Sequence, residues 1–374
     1  MGRRRPSRVY LLSVDAGELE SLGLYDPTDE HAALRLELLH YLIDLGASAD
    51  DLTVYRDTLP GLAAALAIRG GPLLTVEEVG RRSGLTIDEV RRLVRVAGFP
   101  DPGPGAPVFM EGTAALAANA SAVAEVFGED AQYQLLRVMG SAMARVADAV
   151  VSAFLVNVEP AARREDPVGL GVARANAEAA ALLPLVGPAL DLLFRQHLLG
   201  AQRTVLADAD LVGYETQRLV VGFVDLVGST ELGERLSLPD LGAVLTTFEQ
   251  LAADMVTAGG GRIVKLIGDQ ILYTSPDAGP ACTVALDLSA ACDDHPLIPA
   301  VRGGLASGRV MMRDGDVFGP VVNLAARAVK VARPGEVLVT ADLAEASGLR
   351  TEPRGHHRLK GVTSDVELRR LIHG

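Results

Sequence analysis

The spacing of apolar residues changes once along this chain, and that change divides it. From residue 9 to about 205, apolar positions recur at three- and four-residue intervals. Leu34 to Leu45, Leu62 to Ile68, Leu135 to Val158 and Leu182 to Leu199 all carry this pattern of helices that bury one face. Breaks fall at Gly70-Gly71-Pro72 and in the proline-rich stretch 100–107, which is expected to split this half into two subdomains. Beyond about residue 213, short β-rich runs alternate with helices. The runs are Leu219 to Val224, Arg262 to Ile267, Gln270 to Thr274, Val301 to Ala306 and Glu336 to Thr340. Between them lie helical segments over Leu238 to Ala258, Ala278 to Ala291 and Val321 to Ala332. The reading is an all-α domain over 1–195, a linker helix over 196–213 and an α+β domain over 214–374.

Charge narrows the function. The formal net charge is -13 and both halves are acidic, which argues against non-specific nucleic-acid binding as the main task. The basic opening at Arg3, Arg4, Arg5 and Arg8 leads into an apolar stretch that stops at Asp15, too short for a secretory core. The longest apolar run, Ala179 to Leu190, holds Pro184 and Pro188 and falls short of a bilayer span. No membrane span and a cytoplasmic location are therefore expected. Cys282 and Cys292 match no metal spacing and read as small core residues.

Three polar elements stand out in the second half. In the first, an apolar strand ends at Asp225 and Gly228-Ser229-Thr230 opens a helix. Free backbone N–H groups at such a turn suit phosphate, and a carboxylate beside them suits Mg²⁺. An Asp before such a turn also serves as a helix cap. In the second, strand-like runs flank Gly268-Asp269, a two-residue hairpin signal in which Asp269 can be a plain turn residue. Inside the first of those runs lies Lys265, one of only three lysines among 35 basic residues, where this arginine-rich chain would be expected to place Arg. Its compact ammonium can meet a single acceptor such as a purine ring nitrogen. In the third element, Asn323 and Arg327 lie at i and i+4 and share one helix face, after Asp316. That face could orient a ribose and neutralise a phosphate, or be an ordinary solvated edge.

Together these elements resemble the catalytic domain of class III nucleotidyl cyclases, in the subgroup found in mycobacterial and other actinobacterial adenylyl cyclases. The resemblance covers 215–374. It includes the Val301-Arg302-Gly303-Gly304-Leu305 strand and Leu359-Lys360-Gly361, and departs mildly at Gln270. It implies a ferredoxin-like βαββαβ fold and conversion of ATP to cyclic AMP and pyrophosphate. Metal ligands would be Asp225, Asp269 and the Leu226 backbone carbonyl, holding two Mg²⁺ or Mn²⁺ per site. Lys265 and Asp316 would select adenine. Asn323 and Arg327 would act on the transition state, with Lys360, Gly228, Ser229 and Thr230 as further substrate contacts. It also implies a homodimer with composite sites. A catalytically silent nucleotide sensor is the competing reading.

The N-terminal layout resembles cyclases whose helical domain inhibits or permits dimer closure, with pH as one input. His197 in the linker is the regulatory candidate, since a histidine there changes charge between pH 5 and 8. Thr75-Val76-Glu77-Glu78 and Thr86-Ile87-Asp88-Glu89 read as capping boxes of a helix-turn-helix-like unit over 74–98. DNA binding is an alternative function for it, but residues 75–98 hold five Arg against four acids, so no nucleic-acid partner is expected. The apolar helices after residue 112 could enclose a fatty acid or other lipid, or form a plain helical core.

Overall fold

The computed structural model describes residues 15–164, 166–207, 216–360 and 365–373, excluding the side chains of residues 121, 203–207 and 230. Contacts divide the chain into two units, Met1–Arg195 and Gln196–Gly374.

The first unit is helical: α1 (Ala16–Ser21), α2 (Ala32–Asp44), α3 (Ala49–Val54), α4 (Leu59–Arg69), α5 (Val76–Ser83), α6 (Ile87–Val96), α7 (Gly112–Ala118), α8 (Ala120–Phe127), α9 (Glu129–Asn157), α10 (Glu159–Ala162) and α11 (Leu170–Ala180). Then α12 (Leu183–Ala207) runs on past residue 195. Residues 208–213 of the expected linker lie outside the described residues. Two cores hold this unit. Leu19, Leu38, Leu42, Leu62 and Leu66 gather with Leu170 and Ala173 of α11. Val76, Val79, Val90 and Val94 gather with Phe109, Ala114 and Ala117. The division therefore falls at Gly70–Pro72 and not at 100–107, because α7 returns to the same core as α5 and α6.

Both capping boxes form as read. Thr75 and Glu78 exchange bonds of 3.3 and 2.8 Å, and Thr86 and Glu89 exchange bonds of 3.3 and 2.8 Å. Three of the five arginines of the 74–98 segment make internal contacts. Arg82 pairs with Glu111 at 3.3 Å, Arg95 with Asp101 at 2.8 Å, and the Arg92 guanidinium lies 4.1 Å over the Tyr133 ring. A face built to read DNA would hold these cations outward for phosphate.

Pro188 lies inside α12, within the Leu182 to Leu199 stretch read as helical. By length and composition alone, Glu129–Asn157 and Leu170–Gln202 are long and apolar enough to cross a membrane. The first of them carries Arg137, Arg145 and Asp148 along its length. Each would cost about 2.5–3.5 kcal/mol at a bilayer centre.

The second unit is an eight-stranded mixed sheet with helices on both faces. In order come β1 (Thr216–Leu226), α13 (Ser229–Arg235), α14 (Leu238–Ala258), β2 (Arg262–Ile267), β3 (Gln270–Ser275), α15 (Ala278–Asp293), β4 (Val301–Arg313), β5 (Asp316–Phe318), α16 (Pro320–Val331), β6 (Val337–Thr340), α17 (Ala341–Ser347), β7 (Thr351–His357) and β8 (Val366–Leu371). The strand order β2-β3-β1-β4, all antiparallel, is the ferredoxin-like βαββαβ core. β6, β8 and β7 extend it, and β5 pairs only with the far end of β4.

Alternation along β1 assigns its two faces. Val220, Val224 and Leu226 enter the large core with Phe248 of α14 and Leu288 of α15. Leu219, Val221 and Phe223 enter a smaller core with Ala325 and Val329 of α16. Gly304 and Gly308 of β4 let α16 lie close. A Cβ on Gly304 would stand 2.2 Å from the Val329 nitrogen, and one on Gly308 2.6 Å from Val321.

Candidate active site

Asp225 is two residues beyond Phe223, so its carboxylate is on the α16 side of the sheet, at the end of β1. It does not cap the helix that follows. Gly228, at φ +73°, is the N-cap of α13 and offers no side-chain bond. Gly228 and Ser229 open that helix, and the Thr230 side chain lies outside the described residues. The Asp225 carboxylate instead meets Arg302, its direct partner across β1 and β4. The Arg302 Nε and Nη2 both donate to Asp225 Oδ2, at 2.9 and 2.6 Å. The Asp225 side chain is 13% exposed and that of Arg302 is 32% exposed.

Asp269 sits beside it. β2 and β3 are joined by the two-residue turn Gly268-Asp269, and Gly268 takes the positive φ of +65°. Asp269 is the second residue of that turn and takes no positive φ itself. Its carbonyl accepts the Leu226 N–H at 3.2 Å, and Asp225 pairs with Gln270, so the two aspartates occupy adjacent strand ends. Leu226 itself is buried.

A bulge between Ile263 and Lys265 shapes the next element. It tucks Val264 into the α16-side core and sets Lys265 opposite Leu272, on the same side. Lys265 is ion-paired to Asp316 through Nζ and Oδ2. Asp316 gets there by a second two-residue turn that the sequence reading passed over. Asp314 at φ +57° and Gly315 at φ +80° join β4 to β5, a conformation matched by an Asp-Gly pair. Arg262 also donates to the Gly315 carbonyl at 3.4 Å.

Asn323 and Arg327 ride on α16, started by Gly319 and Pro320. Ala325, Ala328 and Val329 are buried, while Asn323 is exposed and Arg327 half-buried. Among the described residues, neither side chain is hydrogen-bonded or ion-paired to Asp225 or Asp269. The structure thus brings together Asp225 with Asp269, and Lys265 with Asp316. It leaves Asn323 and Arg327 on the outer side of their helix. Lys360 is exposed next to buried Leu359, with Gly361 outside the described residues. His197 is an exposed residue of α12. Arg302 is the site residue that sequence reasoning missed, although a charge in an otherwise apolar and glycine-rich strand was its signal.

Among the described residues no group of three or more His, Cys, Asp or Glu could hold a metal. Two neighbouring carboxylates fit a hard divalent ion that keeps most of its water and shares substrate phosphates, as Mg²⁺ does. They do not fit a caged ion.

Comparison with known proteins places the chain among the adenylate cyclases. Residues 19–201 match the family model of the adenylate cyclase regulatory domain. An adenylate cyclase of Streptomyces coelicolor is 34% identical over 323 residues, 86% of this chain and 76% of that one. A pH-sensitive adenylate cyclase of Mycobacterium tuberculosis is 31% identical over 361 residues, covering 91% and 89%. Among solved structures, an adenylyl cyclase of P. aeruginosa is 22% identical over 43% of this chain and 97% of its own, with a TM-score of 0.38. The chain belongs to the adenylate cyclase family, with the family's regulatory domain over residues 19–201 ahead of the α+β unit.

Proposed function

We propose that this chain converts ATP to 3′,5′-cyclic AMP and pyrophosphate, under control of its N-terminal unit. The observation that carries the reading is the Lys265–Asp316 pair, set by a bulge and a tight turn on the same side of the sheet as Asp225. An ammonium and a carboxylate held together offer a donor and an acceptor to one purine edge, the pattern that adenine needs.

In the reaction the ribose 3′-hydroxyl attacks the α-phosphorus in line and pyrophosphate leaves. Asp225 and Asp269 would hold the divalent ions, which when bound acidify the attacking hydroxyl and neutralise the leaving group. Arg327 would stabilise charge growing on the α-phosphate oxygens, and Asn323 would hold the ribose in line. Gly228, Ser229, Thr230 and Lys360 would contact the polyphosphate.

The outward position of Asn323 and Arg327 supports a site shared by two copies, each lending this helix face to the other's aspartates. Exposed Leu266 and Ile267 on edge strand β2 support the same reading, as apolar surface beside Lys265 suits a second copy. Exposed His197, on the stretch of α12 just beyond residue 195, remains the candidate for pH control. A cleft of about 630 Å³ lined by Arg35, Arg56, Val150, Phe154 and Leu155, with Asp57 and Glu159 also in its wall, would be the place for a lipid.

The test is cyclic AMP formation by the full-length chain with ATP and Mg²⁺ or Mn²⁺ from pH 5 to 8. Activity with ATP far above that with GTP supports the reading. ATP binding without product under all conditions would turn it into a nucleotide sensor.

A further inference from the structure

The two N–H bonds that Arg302 gives to Asp225 both end on one oxygen, Oδ2. Among the described residues nothing donates to Oδ1. A fork that meets both carboxylate oxygens would be the usual bidentate pairing. Here the guanidinium crowds one oxygen and, among the described residues, leaves the other without a donor. The carboxylate is mostly shielded from water, so its charge is balanced chiefly by that arginine.

We propose that Arg302 is a positioning residue that holds Asp225 in the metal-free site and competes with divalent cation for it. The inference rests on the proposed reading of Asp225 as a metal ligand. A cation on Oδ1 would face a fixed positive charge bonded to the other oxygen of the same carboxylate, and like charges at that range repel. Only two carboxylates are on hand to offset this repulsion, and no third acidic or histidine group joins them among the described residues. The arginine therefore weakens binding of the free ion. It also keeps an otherwise unpaired, largely buried carboxylate from collapsing onto other partners. Metal then occupies the site mainly when a polyphosphate supplies further negative charge, so the site is poised for the metal–nucleotide complex and not for the bare ion.

The experiment is a Mn²⁺ titration of the full-length protein without nucleotide, following the electron paramagnetic resonance signal of the free ion. Wild type, Arg302→Gln, Arg302→Lys and Asp225→Asn are compared, with far-UV circular dichroism on each. Arg302→Gln is expected to bind Mn²⁺ roughly three- to tenfold more tightly than wild type. Arg302→Lys, which keeps the charge but loses the fork, should fall between them. It also serves as the test if the glutamine variant does not fold. A merely structural role for Arg302 would weaken binding, so unchanged or weaker affinity in both variants overturns the proposal. Asp225→Asn separates the two readings. If it loses Mn²⁺ while the arginine variants show no gain, the competition fails and the metal-ligand reading stands. If it binds as wild type does, both fail.

Discussion

Lys265 and Asp316 are 51 residues apart in sequence, yet they are ion-paired because a bulge in β2 and an Asp-Gly turn after β4 bring them to one place. Neither belongs to a hydrophobic cluster. If they read the adenine edge, Lys265→Ala or Asp316→Ala should lower kcat/KM for ATP by about 10- to 100-fold. Activity with GTP should fall less, so the ATP-to-GTP ratio is the measurement. Equal loss for both nucleotides would assign the pair a structural role.

Gly304 has no room for a side chain, because a Cβ there would lie 2.2 Å from the backbone of α16. Gly304→Val should lift that helix from the sheet, with a cost of about 1–3 kcal/mol or more. Asn323 and Arg327 move with it. Activity should drop beyond what the lowered Tm explains, and assays well below the Tm would separate the two effects.

A shared site makes a sharper claim. Chains carrying Asp225→Ala and chains carrying Arg327→Ala should each be inactive alone. Mixed after co-expression, they should recover up to about a quarter of wild-type activity, because half the dimers are mixed and each of those holds one intact site. No recovery in a demonstrated mixed dimer would remove the composite arrangement.

In the N-terminal unit, Arg69 donates to both oxygens of Asp51 at 2.6 and 2.8 Å. The guanidinium, with the Ser48 cap, holds the Asp51 carboxyl down at about 2, against an ordinary value of 3.8. A depressed carboxyl stabilises the fold above its unfolded value and loses that contribution as pH falls toward the folded one. Asp51→Asn should thus cost about 1 kcal/mol at neutral pH, after allowance for the solvent the pair still touches. The difference from wild type should shrink between pH 4 and pH 2 in denaturant melts.

Burial pushes the Cys282 and Cys292 thiols up to about 12. Thiolate is the reactive form, so iodoacetamide should modify neither at pH 8 in the folded protein and both once it is denatured. Rapid labelling of the native chain would show that α15 opens locally.

Much of this was legible in residue order. The period change marked the two halves, and both capping boxes of α5 and α6 formed where Thr and Glu were spaced for them. What escaped did so for physical reasons. β7 contains Pro353 and Gly355 and shows no apolar alternation, because it pairs only with β8 and its burial is slight. β5 is three residues long, too short for any periodicity to register. Its Asp314-Gly315 turn was visible as a dipeptide, but the strand leading to it reads as ended at Ala306. Arg302 escaped because its role depends on register, and only strand pairing shows that it faces Asp225.

The two turns and the bulge carry a consequence for how such chains diversify. The residues that would choose the base are fixed by backbone shape at the sheet's margin, while the cores are filled by other positions. Drift at Lys265 and Asp316 can therefore retune the preferred nucleotide with little penalty to folding. A lineage could explore new signals there without first acquiring a more robust scaffold.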